Sequence, residues 1–327
     1  MNTIINFLFA AIKAGVPFLY GTTGEIITQK SGSLNLGVEG MMYMGAFVGF
    51  YAGFKTDNIL LAVLAAFFTG VAAAFVFAFL TVTLQANQNV TGLALTIFGG
   101  GFSTFFGEMM IKFTPGGQPK LSEKFISGLS EIHIPGLSDI PYVGKLLFSH
   151  NILVYLSIAV AVLCWIYLKF TKIGLNTRSV GENPAAADAS GLNVNLIKYA
   201  NIMLGGGICG MGGAYVSLIN GGGVWNNGCV NGQGWIAVAL VIFAAWSPAK
   251  AIFGSLVFGM FMELQIRAND FAHEFPFLGF LGSIPTAFYK MLPFAITALV
   301  LVFASISQKR EGNQPSACGI NYYREER

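Results

Sequence analysis

Charged residues are scarce in this sequence. Its 327 residues include 18 Lys and Arg and 15 Asp and Glu, so only 10% of the chain is charged, against roughly 25% in an ordinary soluble domain. A soluble protein of this length could not cover its surface with so few charges. The chain is 54% hydrophobic, its mean hydropathy is +0.66, and its apolar runs suit helices better than alternating barrel strands. The composition therefore predicts an all-α polytopic membrane protein.

Motifs for metal, redox and nucleotide chemistry are also missing. The four cysteines lie far apart without a CxxC pair, and the three histidines show no ligand spacing, so neither a metal nor a cofactor is predicted. No GxxxxGK[ST] phosphate loop and no GxSxG motif occur, which argues against ATP binding by this chain and against an enzyme. The net charge of +3 is too small to indicate a nucleic-acid partner.

Nine candidate membrane spans, with a range of eight to ten, follow from apolar stretches of roughly 17–25 residues. They cover about residues 4–27, 36–54, 59–84, 90–111, 152–170, 196–219, 235–246, 251–266 and 284–305. The seventh is too short to cross alone unless the polar stretch 220–234 before it is buried in protein, so broken or re-entrant pieces are expected. The hydrophilic stretch 112–149 is predicted to be a structured loop with short interfacial helices, and residues 267–282 are predicted to be a loop.

The distribution of positive charge predicts how the spans are oriented. With the C-terminus inside, the inner loops and tail hold ten Lys and Arg and the outer loops hold six. The tail and the cluster between Lys169 and Arg178 decide this difference. We therefore expect a cytoplasmic C-terminus and an N-terminus outside. The predicted organisation is a transmembrane domain over residues 1–307, with a cytoplasmic loop over about 171–195, and a polar cytoplasmic tail over 308–327.

Four acidic residues lie in or beside apolar segments, namely Glu25, Glu39, Glu108 and Glu263. A charge at mid-membrane costs at least ~2.5–3.5 kcal/mol, so each acid needs a partner, a proton or water. Glu39 ends the run NLGVE that begins at Asn35, which suits a helix start with an Asn cap and a first-turn acid. Both a role in helix-break architecture and a role in a translocation path remain open for it. The candidate path residues are Asn35, Glu39, Asn89 and Glu108.

The sixth span contains the glycine-rich run GGGICGMGG at residues 205–213, with small residues four apart such as Gly206 and Gly210. Glycine lets helices approach closely in lipid. Tight helix packing is therefore favoured over direct ligand contact.

The inner loop at residues 174–191 has the sequence GENPAA at its centre. Pro184 suits the first position of a helix, and Asn183 can cap that helix. The pattern predicts a short helix over about 184–190, flanked by two spans. Such a surface helix can dock a soluble partner, and the alternative is a plain connector.

Three sequence blocks carry a family resemblance. The run GEIITQKSGSLNLGVEGMM from Gly24 resembles the signature of ABC-importer permeases of the ribose/nucleoside type, and QANQNVTGLAL from Gln85 looks like a second block of that family. The run TKIGLNTRSVGENPAA from Thr171 resembles its cytoplasmic coupling loop. Together with the glycine-rich run, these blocks cover most of the chain from Gly24 to about Pro248. The similarity is greatest to the shorter permease of the nucleoside (guanosine-type) subgroup.

The resemblance implies a bacterial inner-membrane importer that takes up nucleosides. This chain would form the translocation path with a second permease subunit, which is expected to be a longer paralogue. A separate ATP-binding cassette ATPase would dock on the coupling contact, and a periplasmic or lipid-anchored binding protein would deliver the substrate. By this analogy, the ATPase-coupling residues are Gly181, Glu182, Asn183, Pro184, Ala185 and Ala186.

Two alternatives stay open at this point. One is an ion-coupled secondary transporter of small polar solutes, in which Glu39 or Glu108 would be the proton-coupling group. The other is an ABC permease for a simple sugar such as ribose. An intramembrane enzyme is not favoured, because the sequence offers no convergent set of catalytic groups.

Overall fold

The structure is a computed structural model that describes residues 2–132, 136, 138, 140, 143–274, 284–307 and 314–323. The regular elements in these ranges are helices, which confirms the all-α class. They are α1 (Asn2–Lys30), α2 (Val38–Thr56), α3 (Ile59–Ala78), α4 (Gln88–Phe113), α5 (Glu123–Gly128), α6 (Val143–Phe148), α7 (Ile152–Phe170), α8 (Lys172–Glu182), α9 (Pro184–Ala189), α10 (Val194–Tyr215), α11 (Gln233–Phe243), α12 (Pro248–Glu274) and α13 (Thr286–Ser307). Helix α3 continues into a π-helical turn at Phe79–Thr83, and α10 continues into another at Val216–Asn220.

Five helices of the described chain are long and apolar enough to cross a membrane. They cover Thr3–Lys30, Ile59–Thr83, Gln88–Phe113, Ile152–Phe170 and Val194–Asn220. Helices α2, α12 and α13 are 19, 27 and 22 residues long. The polytopic membrane architecture is therefore confirmed, and the count of nine spans stays a prediction.

The predicted end of the eighth span was wrong. Helix α12 continues through Glu274, so the predicted loop at 267–282 is helical in its first part, and residues 275–283 lie outside the described ranges. An ion pair between Glu263 and Arg267, four residues apart at 3.2 Å, supports this extension. The polar segment 171–195 contains α8 in addition to the predicted short helix. Thr171 caps α8 by accepting a hydrogen bond from the amide of Gly174 at 3.0 Å.

Helix α10 is at the centre of the bundle and packs against α1, α2 and α3. A Cβ atom would collide with a facing backbone carbonyl at four of its glycines: Gly205 faces Gly24, Gly206 faces Gly70, Gly210 faces Ala66, and Gly213 faces Met42. The absence of a side chain at these positions is what allows the backbones to come so close. The prediction that the glycine-rich run serves tight packing is confirmed.

Two opposite faces of the bundle carry the polar segments. On the loop-helix face, formed by α8, α9 and residues 314–323, the amide of Ala317 donates to the carbonyl of Gly181 at 3.0 Å, and Gly181 lies against the end of α1 at Lys30. On the long-loop face, formed by the described part of 114–151, Lys145 donates to Asn6 near the start of α1 at 2.7 Å. Residues 314–323 and the start of α1 therefore lie on opposite faces. Which face is cytoplasmic stays a prediction.

We predict that Gly210→Leu destabilises the bundle, because the added side chain must displace the α3 backbone at Ala66. Overpacking of this kind costs about 1–3 kcal/mol or more. Thermal unfolding of the purified protein in detergent measures the effect. The matched control is Gly101→Leu on α4, since a Cβ atom added at Gly101 would meet no described atom within 4 Å. Equal melting temperatures for the two variants would contradict the packing role of Gly210.

Candidate functional site

The chain turns back into the bundle immediately after α1. Residues 31–37 are not helical, and the amide of Asn35 donates to the Glu25 carboxylate at 3.0 Å, so this stretch returns alongside the last turns of α1. Helix α2 then begins at Val38, beside Gly21 of α1. Gly21 precedes Lys30 by nine residues, which at 1.5 Å per residue is roughly 14 Å. Helix α2 therefore starts inside the bundle and not at its surface.

A second break lies directly against this start. Residues 221–232 run without helix from the long-loop face down along α2. The ring of Trp225 contacts the ring of Phe50 with centroids 5.3 Å apart, and further along the amide of Asn231 donates to the hydroxyl of Tyr43 at 3.1 Å. Helix α11 begins at Gln233 and continues towards the loop-helix face, where Trp246 reaches the last turn of α1. This part of the chain crosses the bundle as a non-helical segment followed by a short helix, as the sequence predicted for its broken seventh span.

The Glu39 carboxylate joins the two breaks. One oxygen accepts a hydrogen bond from the amide of Gly232 at 2.7 Å, and the other accepts from the amide of Gly234 at 2.6 Å. The side chain is 4% exposed. The first amides of a helix have no partner within the helix and carry partial positive charge, so a carboxylate placed there satisfies donors and neutralises the helix end. Of the two roles left open for Glu39, the geometry matches helix-break architecture.

The other candidate path residues do not converge on Glu39. The side-chain oxygen of Asn35 accepts from the amide of Gly37 at 2.8 Å, which stabilises the local turn before α2. Asn89 and Glu108 are both exposed on α4, 19 residues apart, so they are roughly 28 Å from each other along the helix. The four residues therefore do not form one polar cluster.

A polar connection that the sequence analysis did not identify links α1 to the end of α11. Gln29 donates to Glu25 at 2.9 Å, and the indole of Trp246 donates to Gln29 at 2.6 Å. Trp246 and the preceding Ala245 have positive φ angles of 50° and 48°, so this turn is held in a conformation that side chains disfavour. The i,i+4 spacing of Glu25 and Gln29 is the sequence signal that could have found the first bond.

The loop-helix face contains the predicted short helix. Helix α9 begins with Pro184, and the side chain of Asn183 accepts from the amide of Ala186 at 3.0 Å, so the predicted cap is confirmed. Of the six predicted coupling residues, Glu182, Asn183, Ala185 and Ala186 are exposed and Pro184 is half-buried. Gly181 is buried instead, because it packs directly against the backbone of Lys30. A Cβ atom at this position would collide with the Lys30 carbonyl. Gly181 positions the helix against α1, and the remaining residues form its accessible surface.

We predict that Glu39→Gln lowers the melting temperature. Glutamine keeps the size of the side chain, but its amino group would face one of the two backbone amides, and an unpaired buried donor costs about 1–3 kcal/mol. The control is Glu108→Gln, because Glu108 is an exposed acid. Thermal unfolding in detergent measures both variants. If Glu39→Gln unfolds at the temperature of the control, the carboxylate does not anchor α11.

Comparisons with known proteins give one family match and several relatives of similar length. Residues 7–304 match the family described as branched-chain amino acid transport system / permease component. The chain is 33% identical to the putative glucose ABC transporter permease protein TsgC13 of Haloferax volcanii, over 99% of each chain. It is 31% identical to the nucleoside ABC transporter permease protein NupC of Lactococcus lactis, over 98% of each chain. It is also 31% identical to the guanosine ABC transporter permease protein NupQ of Bacillus subtilis, over 97% of this chain and 96% of that protein.

No solved structure matches the chain. The family match covers most of the chain, and the three relatives are matched over nearly their full length. The chain therefore belongs to the family of ABC transporter permeases, and it is a multi-pass transport subunit.

Proposed function

We propose that this chain is a permease subunit of an ABC importer that takes up nucleosides across the cell membrane. Two relatives of near-equal length carry nucleoside and guanosine in their names, which supports this substrate class. A simple sugar is the second candidate, because the relative with 33% identity is named as a putative glucose permease. In either case a separate ATPase supplies the energy, since no phosphate loop occurs in this sequence.

The exposed surface of α9 is the observation that carries the proposed ATPase contact. Helix α9 is short, capped by Asn183, and exposes Ala185 and Ala186 beside Glu182. Gly181 holds its base against the end of α1. A partner that pushes on α9 therefore pushes on α1, which packs against α10 and α12. In this proposal the loop-helix face is cytoplasmic, and the start of α1 lies outside.

The non-helical segment 221–232 is the proposed lining of the translocation path. Asn226, Asn227 and Asn231 are exposed on it. The amide of Asn231 contacts Tyr43, which is 13 residues and roughly 20 Å from the end of α2 at Thr56. Irregular backbone at membrane depth occurs only where it is buried in protein or lines a water-filled cavity, because lipid cannot satisfy its polar groups. A second permease subunit, which we propose to be a longer paralogue, would close this surface into a path.

An ion-coupled secondary transporter is not favoured. Both oxygens of the Glu39 carboxylate are used by the amides at the start of α11. A proton-coupling group must gain and lose its proton during transport. Protonation of Glu39 would turn one acceptor oxygen into a donor and leave one of the two amides at the start of α11 without a partner. Glu108 is an exposed residue of α4.

We propose that a binding protein on the outer side delivers the substrate, so the affinity of the membrane part for the substrate is low.

The substrate proposal predicts uptake with a defined competition pattern. Vesicles that contain this chain with its ATPase, second permease and binding protein should accumulate a labelled nucleoside when ATP is supplied. Unlabelled nucleosides should compete, whereas glucose and ribose should not. Accumulation of labelled glucose or ribose under the same conditions, with no accumulation of the nucleoside, would favour the sugar candidate. Uptake by this chain alone under a pH gradient would contradict the ABC mechanism.

The coupling proposal predicts that Ala186→Trp separates ATP hydrolysis from uptake. Ala186 is exposed on α9, so the indole can be accommodated in the free subunit and interferes only with a docked partner. We expect uptake per ATP to fall about fivefold or more, the lower end of the factor that a typical coupling free energy between two sites produces. The melting temperature of the permease should stay unchanged. Ala72→Trp, at an exposed alanine of α3, is the matched control. Normal uptake per ATP in Ala186→Trp would contradict the docking role.

A further inference from the structure

Residues 314–323 are folded against the loop-helix face, although the sequence predicted only a polar tail there. Four hydrogen bonds join this segment to α8 and α9. The amide of Ala317 donates to the carbonyl of Gly181 at 3.0 Å, and the amide and hydroxyl of Ser316 donate to Glu182 at 3.3 and 3.1 Å. The hydroxyl of Tyr322 donates to Asp188 at 2.8 Å. The ring of Tyr322 also packs against the apolar cluster of Val180, Ala187 and Val194. The segment therefore binds the end of α8, just before α9, and the last turn of α9.

The same segment is bonded to a distant part of the chain, the link between α3 and α4. The side-chain amide of Asn321 donates to the carbonyls of Gln85 and Ala86 at 2.6 and 3.2 Å. Its side-chain oxygen accepts from Gln88 at 3.0 Å. Gln85 also donates to the carbonyl of Tyr322 at 3.2 Å. The polar atoms of the Asn321 side chain are thus all used to hold the α3–α4 link.

The connection continues into the centre of the bundle. The side-chain oxygen of Gln88 accepts from the amide of Leu34 at 2.7 Å. Leu34 belongs to the returning stretch 31–37, which leads directly into α2 and Glu39. A continuous set of hydrogen-bonded groups therefore runs from α9 through residues 314–323 to the break at which α2 begins.

We propose that residues 314–323 form a strap that transmits displacement of α9 to the α3–α4 link, with Asn321 and Tyr322 as its positioning residues. This inference rests on the proposed role of α9 as the ATPase contact. Helix α9 is only six residues long, and α3 and α4 are separated from it by more than 70 residues of sequence. Because the strap is bonded to both, an ATPase that moves α9 also moves the start of α4 and the stretch 31–37. Without the strap, α9 would act on α1 and Gly32 through Gly181, and on α10 through the apolar cluster that contains Val194.

Asn321→Ala in the assembled transporter tests the strap, since it removes the three bonds that the Asn321 side chain makes to the α3–α4 link and leaves the α9 surface intact. We expect assembly with the ATPase and basal ATP hydrolysis to be retained, the melting temperature to be unchanged, and uptake per ATP to fall about fivefold or more. Tyr322→Phe, which loses only the bond to Asp188, should produce a smaller fall. Tyr323→Phe is the matched control, because Tyr323 is exposed at 45% and lies outside the Asn321 contacts.

The free thiol of Cys318 gives a second readout on the strap itself. Cys318 is half-buried, and burial raises the pKa of its thiol to about 11, so alkylation at neutral pH is slow while the strap is docked. In a Cys229→Ser background, Asn321→Ala should increase the rate of Cys318 alkylation, and Tyr323→Phe should not.

The outcomes separate this inference from the proposed function. If Ala186→Trp uncouples the transporter and Asn321→Ala does not, the strap is wrong and the role of α9 stands. If neither variant uncouples it, both proposals fail. If Asn321→Ala lowers hydrolysis, uptake and melting temperature together, the segment is merely structural and the strap is also overturned. Loss of uptake per ATP with normal stability and faster Cys318 alkylation supports it.

Discussion

The two helices that begin inside the bundle of this permease, α2 and α11, depend on the position of one buried carboxylate. A helix that begins within a membrane exposes amides that lipid cannot satisfy. In this chain, Glu39 supplies both of its oxygens to the amides of Gly232 and Gly234 at the start of α11. Glu39 itself lies in the first turn of α2. Its hydrogen bonds therefore fix the start of α2 and the start of α11 relative to each other. The non-helical segment 221–232 can then extend from the long-loop face to Tyr43 without a helix of its own.

Glycine fixes the rest of the bundle around this centre. At its glycines, α10 approaches α1, α2 and α3 at distances that leave no room for a side chain. This close packing stabilises the helices around the starts of α2 and α11. The loop-helix face is connected to the same centre, because Gly181 lies against the end of α1 and Gln88 binds Leu34 in the returning stretch. Force applied at α9 therefore has a physical route to the elements that surround the proposed path.

Much of the fold could be predicted from the sequence because long apolar runs define membrane helices. The fifth span at 152–170 coincides with α7, and the Asn183–Pro184 start of α9 follows from local capping chemistry. Helix α8 was missed because its composition is polar, although its cap at Thr171 was readable. Contacts between residues far apart in sequence could not be predicted. The bonds to Glu39 join residues 193 and 195 positions apart. The two bonds that Asn321 donates to the α3–α4 link end on backbone carbonyls, which carry no sequence signal.

The account depends on the claim that segment 221–232 faces water and not lipid. Accessibility of Asn226→Cys in a Cys229→Ser background tests it directly in the assembled transporter, with a membrane-impermeant thiol reagent. Phe98→Cys on the exposed, apolar surface of α4 is the comparison. We expect rapid modification at position 226, slowed by transported substrate, and little modification at position 98. Equal resistance of both positions to the reagent would show that the segment does not line a path and would contradict the account.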